Sequence, residues 1–104
     1  MAGWFENYNS LPAETNPSGP ATILSQFEAV SAYAARTGLR VYNGEWGAHN
    51  GGDLESRVRY MRSVRQESEQ RGIGWCVWDD NTSLQLYNPM SGEWDKPLVA
   101  ALFD

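Results

Sequence analysis

The chain has one cysteine, Cys76, among its 104 residues. A lone thiol makes no intrachain disulfide and no thiolate cluster, so cysteine usage is silent on the redox compartment. Its place in the apolar run Ile73-Gly-Trp-Cys-Val-Trp78 is the place of a buried, inert thiol. Basic residues are also few: eight Lys and Arg against thirteen Asp and Glu leave a net charge of -5. That balance argues against a nucleic-acid partner, because neutralising phosphates takes a concentrated basic face. The one arginine-dense segment, RVRYMRSVR, is interleaved with Val58, Met61 and Val64 and reads as a solvated helix face. No stretch approaches the ~18 consecutive apolar residues of a membrane span, and MAGWFENYNS has neither the basic start nor the apolar core of a secretory signal. No membrane partner is expected, the residues call for no metal ion or cofactor, and the localisation stays open.

Aromatic residues are plentiful by contrast: five Trp, five Tyr and three Phe. Flat apolar rings with polar edges serve either a core or a sugar-binding surface. A chain that is 41% hydrophobic and 20% charged is an ordinary globular one, and this length makes one small domain.

Residues 1–20 hold Pro12, Pro17 and Pro20 among polar residues and read as a long irregular loop carrying Trp4, Phe5 and Tyr8. A partial barrel unit is expected over 21–104. There, Ile23, Phe27, Val30 and Ala34 follow helical spacing, with Gly38 where a C-terminal cap belongs. Leu39 to Tyr42 form a short extended run ending at Gly44-Glu45. After Asn50-Gly51-Gly52, Asp53 caps a second helix with the stripe Leu54, Val58, Met61 and Val64, stopped by Gly72. The run Ile73 to Trp78 is apolar on both faces, as a parallel strand covered by helices would be. Ser83 to Trp94 reads as a small hairpin or ordered loop around Asn88-Pro89, and Asp95-Lys96-Pro97 opens a last short helix with Leu98, Ala101 and Leu102.

This alternation is the grammar of βα units, whose functional residues sit at the C-terminal ends of the strands. Both expected strands end in chemistry: Glu45 after the first, Trp78-Asp79-Asp80 after the second. A carboxylate between Gly44 and Gly47 is either a solvated turn or a catalytic group. Asp79 and Asp80 are either loop-ordering or acids, and His49 either fixes its loop or touches a ligand.

The ordered set NGEWGAHN, RVRYMRSVRQESEQ, RGIGWCVWDDN and LQLYNPMSGEWDKPLVAAL resembles the C-terminal part of family 5 glycoside hydrolases, cellulase-like (β/α)8 barrels, from about Phe27 to Phe103. G-E-W-G alone is weak, but joined to G-I-x-W-x-x-W-D at this spacing it is fairly specific. The resemblance implies an α/β fold, a partial TIM barrel from about helix six to helix eight with two parallel strands. It implies Glu45 as the nucleophile of a retaining mechanism, Trp78 as the floor of a sugar subsite, and Trp46 and His49 as further substrate contacts. The partner it implies is a β-linked oligo- or polysaccharide of glucan or mannan type. The family's second carboxyl group stands in an Asn-Glu-Pro type motif, and this chain contains none. Two parallel strands leave unpaired edges, so completion by self-association into a homo-oligomer is expected, and an inactive, self-associating or merely sugar-binding barrel fragment is the alternative to an active one.

Overall fold

The computed structural model describes residues 19–104; most of the expected N-terminal loop, with Trp4, Phe5 and Tyr8, lies outside the described residues. The elements run α1 (Pro20–Thr37), β1 (Tyr42–Trp46), α2 (Leu54–Gln70), β2 (Gly74–Val77), β3 (Tyr87–Asn88), β4 (Glu93–Trp94) and α3 (Lys96–Phe103). β1 and β2 pair in parallel, and β3 and β4 form the antiparallel hairpin read from the sequence. The result is an α/β arrangement with no closed barrel among the described residues. Among the described residues no helix is long and apolar enough to cross a membrane.

The helix ends follow the local chemistry. Asp53 Oδ2 accepts the backbone N–H of Ser56 at 2.9 Å and its Oδ1 the Ser56 hydroxyl at 2.6 Å, satisfying donors that the first turn of α2 leaves free. Asp95 does the same for Leu98 at the start of α3. Gly38, at φ +72°, ends α1 in the left-handed conformation that a side chain resists.

The core lies between the helices and one face of the sheet. Ile23, Trp46, Met61, Val64, Leu86, Leu98, Ala101 and Leu102 form it, with Trp75 and Val77 packed against it. Trp75 meets Trp46 edge-on at 5.9 Å and Phe103 at 6.0 Å.

Several expectations need correction. Cys76 is exposed, not buried, because helices cover only one face of β2: Trp75 and Val77 turn inward while Gly74 and Cys76 face out. The arginine segment is not simply a solvated face. Arg57 and Arg65 are buried, and Arg65 Nε reaches the Ala101 carbonyl at 3.2 Å, joining α2 to the last helix. Leu54 of the expected stripe is exposed, as is Val30 of α1, since neither joins the core among the described residues. The first strand begins at Tyr42 and runs on through Glu45 to Trp46, later than the Leu39 start expected.

Candidate functional site

The two strands do not pair residue for residue. Tyr42 lies opposite Gly74 and Asn43 opposite Trp75, yet Trp46 lies opposite Val77. Three steps on β1 thus match two on β2, so Gly44 and Glu45 together face Cys76, as in a β-bulge. In a regular strand Trp46 would share a face with Tyr42. Instead Tyr42 is 75% exposed and Trp46 is 8% exposed. The bulge therefore turns the indole into the core and leaves Glu45 exposed beside it.

A Cβ at Gly44 would come to 3.0 Å from Cε2 of the exposed Tyr42 ring, which can shift to make room, and one at Gly47 would meet the Trp78 carbonyl oxygen and Leu84 Cβ at an ordinary 3.4 Å. Trp78 follows β2 directly, and its N–H donates to the Trp46 carbonyl at 2.8 Å, so the strand ends bearing Glu45 and Trp78 are held side by side. The Trp78 side chain is about half exposed, open to a stacking ligand. The Glu45 carboxylate makes no hydrogen bond or ion pair among the described residues.

The other site candidates are placed differently. Trp46 stands in the core, 8% exposed, its Nε1 buried without a partner among the described residues, and its side chain lines the groove between α1 and β1. His49 Nδ1 accepts the N–H of Gly51 at 2.8 Å and its carbonyl accepts from Gly52 at 3.2 Å, so the imidazole fixes its own loop. That loop is docked on the segment after β2: Asn50 donates its N–H to the Ser83 carbonyl and its Nδ2 to that of Thr82.

Asp79 also builds structure. Oδ1 accepts from Asn81 N–H at 2.8 Å, and Oδ2 accepts from Leu86 and Tyr87 N–H at 2.9 and 3.0 Å. Burial alone would raise this carboxyl, but the three backbone donors outweigh it and hold Asp79 below the usual carboxylate range. Asp80 is held low as well, first by the Thr82 hydroxyl and then by the Thr82 N–H. A proton donor near neutral pH needs a raised pKa, so neither aspartate suits the acid role, and both order the loop.

Sequence reasoning missed one arrangement. Arg57, an apparent surface residue, is buried at the start of α2 and faces the hairpin. Its only visible signal was position in the first turn of a helix that packs against a polar loop.

Comparison with known proteins places this geometry. The model of the family described as cellulase (glycosyl hydrolase family 5) matches residues 4–83, which extends the likeness to the opening segment as well. Endoglucanase B of Clostridium cellulovorans is 29% identical over 90 residues, covering 80% of this chain and 20% of that protein. Cellulose synthase subunit Z of Clostridioides difficile superposes with a TM-score of 0.76 at 26% identity, over 82% of this chain and 28% of that one. Cel5A of Thermotoga maritima, in a mutant form in complex with cellobiose, gives 0.76 at 27% identity, over 81% and 27%. The chain thus spans about a quarter of the length of the proteins it matches.

Proposed function

The chain belongs to glycosyl hydrolase family 5, the cellulases, and we propose that it carries the nucleophile half of a retaining β-glycosidase site. Glu45 is the nucleophile and Trp78 the platform for the sugar ring beside it. The observation that carries this reading is the pairing of an exposed carboxylate with a half-exposed indole on strand ends tied by the Trp78–Trp46 hydrogen bond. A strand end gives a nucleophile the fixed aim that attack requires, and the apolar face of a pyranose stacks on an indole. In the reaction, a Glu45 oxygen bonds to the anomeric carbon as the glycosidic C–O bond breaks. A second carboxyl group, about 5 Å from the first in retaining enzymes, protonates the leaving oxygen and then activates water. Asp79 and Asp80 of the same protomer are unsuited to that role, so it falls to a carboxylate of another barrel unit, a second copy's or a different chain's. The substrate class is a β-linked glucan or mannan.

A partner is part of the same proposal. Parallel sheets are covered on both faces, yet here one face is open, with Tyr42 75% and Trp78 46% exposed. An apolar groove of about 320 Å³, lined by Ile23, Phe27, Val30, Val41 and Trp46, runs between α1 and β1. Further barrel units fit these surfaces, and further copies of this chain are our candidate for supplying them. Light scattering on the eluting protein reads the assembly. Hydrolysis of an activated aryl β-cellobioside by the isolated peak, with Glu45→Gln as control, reads the chemistry. Turnover that depends on Glu45 supports the proposal, and turnover indifferent to Glu45→Gln overturns it.

A further inference from the structure

A second cavity, of about 240 Å³, opens between the start of α2 and the β3–β4 hairpin. Its lining includes Asn50, Arg57, Asn88, Glu93, Trp94 and Asp95. Both walls belong to this chain: α2, the loop after β1, the hairpin and the start of α3. The cavity therefore does not depend on any further barrel unit, and it shares no residue with the Glu45–Trp78 pair.

Its chemistry is unusual for a structural crevice. Arg57 is 8% exposed, and among the described residues its guanidinium makes one long hydrogen bond, from Nη2 to the Gln85 carbonyl at 3.4 Å, while Nε has no partner. Among the described residues no carboxylate lies within ion-pair distance of it. Burial lowers its pKa, offset in part by the charge of Asp95. A buried guanidinium this poorly partnered is costly, which points to an acceptor beyond the described residues. Glu93 and Asp95 flank the opening, so a free anion meets two negative charges there, and a cation meets Arg57. What the lining suits is a neutral molecule carrying both donors and acceptors. The Trp94 ring, 59% exposed and braced by Tyr87 at 5.0 Å, adds an apolar platform at the rim.

We propose that this cavity binds one pyranose ring of a neutral sugar, placed against Trp94 and hydrogen-bonded by Arg57, Asn50, Asn88 and Asp95. The chain then holds sugar at two places, one at Glu45 and Trp78 and one on the hairpin. The second is an accessory site that needs no catalysis, so its success or failure is independent of the role of Glu45.

The test uses the full 15N-labelled chain titrated with cellobiose and, separately, with inorganic sulfate. The readouts are the backbone amides of Ser91 and Glu93 and the indole N–H of Trp94. Saturable shifts are expected with cellobiose in the millimolar range, unchanged by Trp78→Ala, lost with Trp94→Ala and weakened about tenfold by Arg57→Lys, which cannot reproduce the planar fork. Three results overturn the proposal: no saturable shift with cellobiose, shifts that persist in Trp94→Ala, or shifts given by sulfate instead of sugar. Amide dispersion of each variant shows that it is folded, and in Trp94→Ala the Ser91 and Glu93 amides remain as reporters.

Discussion

Trp78 donates its backbone N–H to the carbonyl of Trp46 at 2.8 Å, so two consecutive residues of β1 serve opposite ends: Trp46 anchors the strand in the core while Glu45 stands in the open. Replacing the anchor leaves a cavity among Trp75, Met61 and Val64. Trp46→Ala is expected to cost about 3–5 kcal/mol, enough to unfold a small domain of ordinary stability. Glu45→Gln, which removes a charge with no partner among the described residues, is expected to stay within about 0.5 kcal/mol of the parent. Urea unfolding of the two variants checks both.

Asp79 ties the segment after β2 to the start of the hairpin through the backbone donors of Leu86 and Tyr87, and holds its own turn through that of Asn81. Its folded pKa is depressed, so it contributes stability that is present above the ordinary aspartate value of about 3.9. That contribution is lost as pH falls through the lower folded value. Hydrogen exchange at Leu86 and Tyr87 is therefore expected to show weaker protection, relative to the helices, as pH drops below about 4. Asp79→Ala removes the acceptor at every pH and is expected to cost about 1–2 kcal/mol, with the partial exposure of the site keeping it at the lower end.

The sequence made much of this legible because its signals were local. Gly38, Asp53, Gly72 and Asp95 punctuate the helices by backbone chemistry that needs no tertiary partner, and the Asn88 turn announced its hairpin. Cys76 and Arg57 were misjudged because their environments depend on what stands opposite. An apolar run cannot say that only one face of its strand is covered, and an arginine in a helical pattern does not reveal the hairpin that folds over it. The burial of Trp46 is hidden too, since its parity with Tyr42 conceals the bulge. That register change is a tertiary event, set by burying an indole and keeping a carboxylate in water.

The cap of α2 gives a smaller, cleaner test. Asp53 holds both the N–H and the hydroxyl of Ser56, and Asp53→Ala is expected to lower stability by about 1 kcal/mol. Asp53→Asn, which keeps an acceptor, is expected to recover most of it in thermal unfolding.

The open face of the sheet predicts concentration-dependent behaviour. Sedimentation velocity is expected to show species larger than a monomer as concentration rises, and Tyr42→Lys, which sets a charge on the exposed face of β1, is expected to shift the distribution towards monomer. A single monomer boundary at all concentrations would remove self-association from the account and leave barrel completion to a different chain.

The central claim is that Glu45 forms a bond to sugar. The most direct measurement is mass spectrometry after incubation with a 2-deoxy-2-fluoro-β-cellobioside bearing a dinitrophenyl leaving group. That leaving group departs as an anion and needs no protonating acid, and the fluorine slows hydrolysis of the covalent intermediate. The account predicts a mass increase of one fluorocellobiosyl group on the assembled protein, mapped to the peptide containing Glu45 and absent in Glu45→Gln. Labelling at another residue, or none from an assembly that binds cellobiose at Trp78, would contradict it.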